Sequence, residues 1–72
     1  MENVKVAPML KLIRRAGADR VSREAAIALG KALDEVGIEI AKEAIDYANH
    51  AGRKTVKVRD IEIALDKFLK RG

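Results

Sequence analysis

The apolar residues of this 72-residue chain recur at helical spacing in three segments. In the first segment, positions i, i+3, i+4 and i+7 form one apolar helix face, and the residues are Val6, Met9, Leu10 and Ile13. Pro8 fits the first turn of this helix, where a backbone N–H has no partner within the helix. Gly17 is placed to end it, because glycine readily adopts the left-handed conformation of a helix C-terminus.

The second segment predicts a long helix from Arg23 to about His50, with Ser22 as its N-cap. Some 28 residues at 1.5 Å each give a length of roughly 42 Å. The apolar side chains span about 200° of its circumference, twice the ~100° typical of a surface helix. They are Ala26, Leu29, Leu33, Val36, Ile40, Ala44, Tyr47 and Ala48 on the main face and Ile27, Ile38 and Ile45 on a neighbouring ridge.

The third segment predicts a short helix from about Val58 to Leu69. Its apolar face repeats the same spacing at Ile61, Ala64, Leu65 and Phe68. Residues 51 and 52, Ala-Gly, end the long helix, and residues 53–57 form a short extended loop. The order short, long, short indicates an all-α fold with a single domain over residues 1–72.

Two short helices can cover one side of the long helix but not its whole apolar arc, so a second chain is the natural missing half. A chain of this length supplies a core of only about 3–5 kcal/mol, and it has no cysteine for a disulfide. Gly30 and Gly37 each cost about 1 kcal/mol relative to alanine in a helix interior. Close approach of a second helix would offset that cost; simple local tolerance of glycine is the alternative.

Composition excludes several classes of protein. With 49% hydrophobic and 36% charged residues, the chain is too apolar to be disordered and too charged to be a membrane protein. Its longest apolar stretches fall far short of the ~20 residues that span a bilayer, and Met1 and Glu2 do not open a signal peptide. We therefore expect a cytoplasmic protein.

No constellation of residues indicates catalysis. The chain lacks cysteine and has one histidine, His50, too few ligands for a metal site within one chain. It has no nucleophile beside a base and no glycine-rich phosphate loop. We expect neither enzyme activity nor a cofactor, metal or small-molecule substrate.

Charge is distributed unevenly along the chain. Residues 1–23 carry six bases and two acids (+4), residues 24–52 two bases and six acids (−4), and residues 53–72 seven bases and three acids (+4). The net charge is +4 and the sequence pI is near 9.7. A fold that brought both basic ends together would favour a polyanionic partner such as nucleic acid.

Two loop sequences resemble those of the archaeal histones. They are residues 16–22, AGADRVS, and residues 48–57, ANHAGRKTVK, followed by Asp60 and Ile61. The similarity extends from about Val6 to Phe68. It implies a minimal, tailless histone fold, an interlocked handshake dimer, and sequence-tolerant binding, bending and wrapping of double-stranded DNA on the chromosome.

The resemblance also implies roles for individual residues. Arg20 matches the loop arginine that enters the minor groove, a mode of binding that uses charge and DNA deformability. The implied DNA-binding residues are Lys11, Arg14, Arg20, Arg53, Lys54, Thr55 and Lys57. Arg53 and Asp60 match a structural ion pair, and the dimer–dimer contact matches Tyr47, His50 and Asp60. Val21 and Val56 lie where the two loops of the family pair.

Three positions depart from the family pattern. Asp46 and Asn49 occupy positions that are usually basic, and Ile38 lies near a position that is often charged. These residues lie beside the assembly junction and on the outer face of the long helix. The sequence leaves open whether the partner is an identical chain or a paralogue, and whether dimers extend into tetramers or longer stacks.

Two other functions compete with DNA compaction. A histone-fold interaction subunit would dimerise with another protein and bind DNA weakly, but it would lack the loop bases that this chain carries. A peripheral membrane protein would use basic amphipathic helices. Here the bases flank loops instead of forming one polar helix face, which argues against that function.

Overall fold

A computed structural model describes residues 5–71, which form three α-helices joined by two loops. Helix α1 spans Val6–Arg15, α2 spans Arg23–His50 and α3 spans Val58–Arg71. The predicted short, long, short order is confirmed, and the described residues contain no β-strand. Helix α3 extends past its predicted end at Leu69 to Arg71, since Lys70 is a good helix former and is favourable near a helix C-terminus.

The chain divides into two compact units, one ending at Glu35 and the other beginning at Val36. The division falls within α2. The first unit therefore contains α1, the loop at residues 16–22 (loop 1) and the first half of α2. The second contains the remainder of α2, the loop at residues 51–57 (loop 2) and α3. That one histone-fold domain covers residues 1–72 stays a prediction.

The first unit packs α1 against α2 through small contacts. Val6 of α1 and Ala26 of α2 are buried, and Gly30 is buried one turn further along α2. An ion pair joins Lys5, just before α1, to Asp34 of α2. Since both side chains are about half exposed, this pair adds little stability and chiefly favours one position of α1 on α2.

The second unit packs α3 against α2 through alanines. Ala44 and Ala48 of α2 and Ala64 of α3 are almost completely buried. Side chains this small allow two helix axes to approach closely. Beside this contact, the Lys67 Nζ of α3 lies 3.6 Å from a carboxylate oxygen of Glu43 on α2.

Large apolar side chains remain accessible to solvent in the single chain. Those at least 38% exposed are Leu12, Leu33, Ile38, Ile45, Val56, Val58, Ile61, Ile63, Leu65 and Leu69. Among residues 5–70, the one large side chain that is fully buried is the carboxylate of Asp60. The isolated chain thus buries alanines and leaves much of its predicted apolar face uncovered.

The two loops are equal in length and begin in the same way. Each has seven residues with the pattern Ala-Gly-x-x-x-Val, a short repeat that the helical periodicity does not reveal. At both, glycine adopts positive φ: +120° at Gly17 and +74° at Gly52. Gly52 N–H donates to Asn49 O at 2.9 Å and Arg53 N–H to Ala48 O at 2.9 Å, the paired bonds of a Schellman motif.

The helices that follow the loops are capped in complementary ways. At the start of α2, Ser22 Oγ accepts a hydrogen bond from Ala25 N–H at 3.0 Å, as predicted for its N-cap. At the start of α3 the direction is reversed, because Asp60 Oδ2 accepts from Lys57 N–H at 2.8 Å. Each arrangement is one half of a capping box. At α3 the capping group is therefore the side chain of a helical residue, Asp60, and the side chain of the N-cap residue Lys57 takes no part in the cap.

Candidate nucleic-acid interface

Loop 2 gathers four of the predicted DNA-binding residues within five positions. Lys54, Thr55 and Lys57 are exposed, whereas Arg53 is half-buried. Lysine ammonium, threonine hydroxyl and backbone N–H groups are all donors to phosphate oxygens. Loop 2 thus presents a compact group of phosphate-binding donors.

The carboxylate of Asp60 holds this loop in place. It accepts hydrogen bonds from Arg53 Nη1 at 2.8 Å and Nη2 at 2.9 Å, in addition to the bond from Lys57 N–H. Arg53 Nη1 also donates to the carbonyl oxygen of Thr55 at 3.1 Å. The bidentate geometry fixes the guanidinium plane, so the first and last parts of the loop are tied to α3.

These bonds perturb the pKa values of both partners. The hydrogen bonds from Arg53, followed by that from the Lys57 backbone, lower the pKa of Asp60 to about 2 although burial opposes the shift. The hydrogen bond to Asp60 likewise raises the pKa of Arg53. Asp60 therefore stays ionised, and the loop stays clasped, throughout the neutral and mildly acidic range.

The other predicted DNA-binding residues belong to the first unit. Lys11 and Arg14 are exposed on α1, and Arg20 is exposed in loop 1. When the two loops are aligned at their Ala-Gly pairs, Ala18 of loop 1 corresponds to Arg53 of loop 2, and Ala25 of α2 corresponds to Asp60 of α3. Neither alanine can form an ion pair, so loop 1 has no counterpart of the Arg53–Asp60 pair; its Schellman bonds and the Ser22 cap hold its two ends.

The predicted dimer–dimer residues fall in two different environments. Tyr47 and His50 line a cavity of about 220 Å³ near the end of α2. The remaining lining residues are Glu43, Asp46 and Lys67. Asp60 lies outside this cavity and is 2% exposed, engaged with Arg53 and Lys57.

A hydrogen bond within α2 fixes the orientation of the histidine ring. His50 Nδ1 lies 2.8 Å from the carbonyl oxygen of Asp46, one turn earlier in α2. A carbonyl oxygen can only accept, so Nδ1 is the donor and carries the proton.

Sequence reasoning missed part of this arrangement. The sequence analysis assigned no role to Lys67 or Glu43, yet the two side chains form an ion pair between α3 and α2. No sequence spacing signals a contact between separate helices. The cap of α3 could have been recognised in the sequence. An acidic residue three positions after the N-cap residue, here Asp60 after Lys57, is typical of a capping box.

Residues 5–71 contain no helix that is both long and apolar enough to cross a membrane. Within the same residues, no three histidine, cysteine or acidic side chains are grouped as a metal site.

Comparison with known proteins identifies the family. Residues 3–65 match the family of histone-like transcription factors (CBF/NF-Y) and archaeal histones. Over 65 residues the chain is 51% identical to an archaeal histone HAN1 of Thermococcus zilligii, covering 90% of this chain and 97% of that protein. A probable archaeal histone 3 of Methanocaldococcus jannaschii is 46% identical over 65 residues, again 90% of this chain and 97% of that protein.

These matches cover nearly the whole chain and include both loops, α2 and the start of α3. The resemblance to archaeal histones noted in the sequence is confirmed. The chain therefore belongs to the family of histone-like transcription factors and archaeal histones, a membership that implies DNA binding and histone-fold dimerisation.

Proposed function

We propose that this protein binds double-stranded DNA with little sequence preference, bends and wraps it, and so compacts the chromosome in the cytoplasm. The observation that carries the proposal is the clasped loop 2, which exposes Lys54, Thr55 and Lys57 around a buried Asp60. A loop fixed before binding loses little entropy when phosphate contacts form. The relatives' names, both archaeal histones, support the same function.

The functional unit in this proposal is a handshake dimer of two identical chains or of this chain with a paralogue. Support comes from the exposed apolar side chains and from Gly37, where an added Cβ would meet no atom of this chain within 4 Å. A glycine inside a helix lowers the stability of that helix, and nothing in the monomer packs closely enough against Gly37 to require it. A second long helix that crosses at Gly37 would explain the glycine, because the missing side chain would let the two helices approach closely.

The proposed DNA-facing residues have different roles in binding. Lys11, Arg14, Lys54, Thr55 and Lys57 would contact phosphates, which give affinity without sequence information. Arg20 would enter the minor groove and favour bending. Arg53 chiefly supports its loop: three of its five N–H groups are engaged, which leaves two for a phosphate.

We also assign the contact between dimers to the end of α2 and the start of α3, with the exposed His50, the half-buried Tyr47 and the buried Asp60. This junction would join dimers into tetramers or longer stacks. The histone-fold interaction subunit is less well supported, since loop 2 retains exposed bases that such a protein does not need.

Salt titration with matched lysine variants tests the DNA-binding surface. If a dimer neutralises roughly 6–10 phosphates, affinity for random duplex DNA falls about 10³- to 10⁵-fold between 50 and 200 mM salt. Lys54→Ala should lower the slope of log K against log salt by about 2, because a homodimer loses two contacts. Lys70→Ala is the control: Lys70 is equally a surface lysine, 76% exposed, and pairs with Asp66 at 3.2 Å. Equal slopes for both variants would contradict the assignment.

Comparison of Arg20→Ala with Arg20→Lys should separate bending from affinity. We expect weaker binding on every duplex, together with a smaller bend angle measured by energy transfer between dyes at the two DNA ends. Arg20→Lys keeps the charge but not the planar guanidinium, so it should restore more affinity than bending. Wild-type bending by Arg20→Ala would remove Arg20 from the minor groove.

Gly37→Ala tests the proposed helix crossing. In an isolated helix the change is worth about 1 kcal/mol of stabilisation. Against a closely packed partner helix the extra methyl group should instead weaken the dimer, measured as a higher dissociation constant by sedimentation equilibrium. Ala28→Gly, at an exposed position of the same helix, calibrates the propensity effect alone. A tighter dimer with Gly37→Ala would contradict the crossing.

Asp60→Asn tests the clasp and its pH dependence. Because the pKa of Asp60 is depressed, its contribution to stability is present above pH 3.8 and is lost as pH falls through about 2. The difference in denaturation midpoint between wild type and Asp60→Asn should therefore be constant from pH 5 to 8 and shrink from about pH 4 to 2. Asp66→Asn is the control, because it removes an exposed ion pair on the same helix, that of Asp66 with Lys70. A difference as large at pH 2 as at pH 7 would contradict the ion-pair role.

A further inference from the structure

The two loops can be compared with each other, because they share a length and a starting sequence but not an ion pair. When they are aligned at their Ala-Gly pairs, Arg20 of loop 1 corresponds to Thr55 of loop 2. In loop 2, Arg53 Nη1 donates to the Thr55 carbonyl oxygen at 3.1 Å and to Asp60 Oδ2 at 2.8 Å. One guanidinium therefore ties the middle of loop 2 to α3.

The backbone at Arg20 lacks the support that Thr55 receives. Ala18 and Ala25 occupy the positions of the two clasp residues, and an alanine methyl group forms no hydrogen bond. In the part of the chain that the structure describes, the backbone of residues 19–21 forms no hydrogen bond with another backbone group. The bonds of loop 1 hold its two ends, so its middle can move without breaking them.

This freedom matters at a residue that enters the minor groove. The width of that groove depends on base sequence and is narrow in A-tracts, whereas phosphates are present at every base pair. An arginine in a fixed position would favour the sequences whose groove matches that position. An arginine on an adjustable loop can follow the groove, at the entropic cost of being ordered on binding.

We propose that Ala18 and Ala25 are specificity determinants. They keep loop 1 adjustable, so that Arg20 fits minor grooves of different width, while the clasped loop 2 is a fixed anchor on phosphate. Both alanines act on Arg20 through the backbone of loop 1 and not by contact with DNA. The inference rests on the DNA-binding roles proposed above and adds the cause of the low sequence preference.

The first test compares the two loops of the wild-type protein by NMR relaxation. In the free protein we expect backbone order parameters of about 0.85, the value of rigid backbone, at residues 54–56 and lower values at residues 19–21. When a duplex is added, the values at residues 19–21 should rise and those at residues 54–56 should change little. Equal order in both loops of the free protein would overturn the proposal.

The second test builds a clasp into loop 1. Ala18→Arg and Ala25→Asp together supply a guanidinium and a carboxylate without changing the net charge, and Ala25 is exposed, so the carboxylate has room. Each single substitution is a control, because Ala18→Arg alone adds a base and Ala25→Asp alone adds an acid to the first turn of α2. The double-mutant cycle separates the clasp from these effects of charge.

Two duplexes of equal length, one with an A-tract and one rich in G·C pairs, measure the effect on specificity. A clasped loop 1 can match only one of the two grooves. We therefore expect the ratio of the two dissociation constants to shift about 2- to 10-fold from the wild-type ratio, beyond the combined shifts of the single variants. The order parameters at residues 19–21 of the free double variant should rise as well.

The outcomes separate this inference from the function on which it rests. An ordered loop 1 in the double variant with an unchanged ratio would overturn the adjustable loop and leave DNA binding in place. A double variant that gains no order beyond the single variants would overturn the assignment of Ala18 and Ala25. Failure of the wild-type protein to shift either duplex in a gel at low salt would overturn the proposed function together with the inference.

Discussion

Helix α2 has an apolar arc of about 200°, and neither unit of the chain fills its part of that arc with large side chains. The packed contacts are alanine against alanine, at Ala44, Ala48 and Ala64, whereas leucines and isoleucines on all three helices stay accessible. Alanine contributes little apolar area, so one chain alone has a weak core. The family implies histone-fold dimerisation, and burial of these side chains against a partner chain would make the stability of the fold depend on assembly.

The two loops are the best-defined surface features of the chain. Each begins with the same Schellman motif and has seven residues, so the two units carry loops of equal length. The loops differ in how the helix after them is capped. Loop 1 relies on the Ser22 side chain as cap, while loop 2 is capped by Asp60, which frees the N-cap position for Lys57. The Asp60 carboxylate thereby caps α3 and orients Arg53. Because the cap does not use the Lys57 side chain, Lys57 can serve as the third base of loop 2.

What could be predicted from sequence depended on how local the signal was. Helix order followed from periodicity, and Gly17 and Ser22 were correctly assigned to a helix end and a helix start because those rules act within a few residues. The fold of the family followed from the loop sequences. The pairs Lys5–Asp34 and Glu43–Lys67 could not be predicted, because each joins residues more than 20 positions apart and depends on which helix faces meet.

Asp60 illustrates how the same limit applies to the site. The family pattern placed it both in an ion pair and at a contact between dimers, and sequence alone gives no ranking of the two. The structure supplies one: the side chain is 3% exposed and three of its acceptor sites are filled from within the chain. The clasp forms within one chain, so it can exist without a second dimer. The structure of loop 2 is therefore complete before any assembly, and a group from another molecule could use only the one acceptor site that the clasp leaves on Asp60 Oδ1.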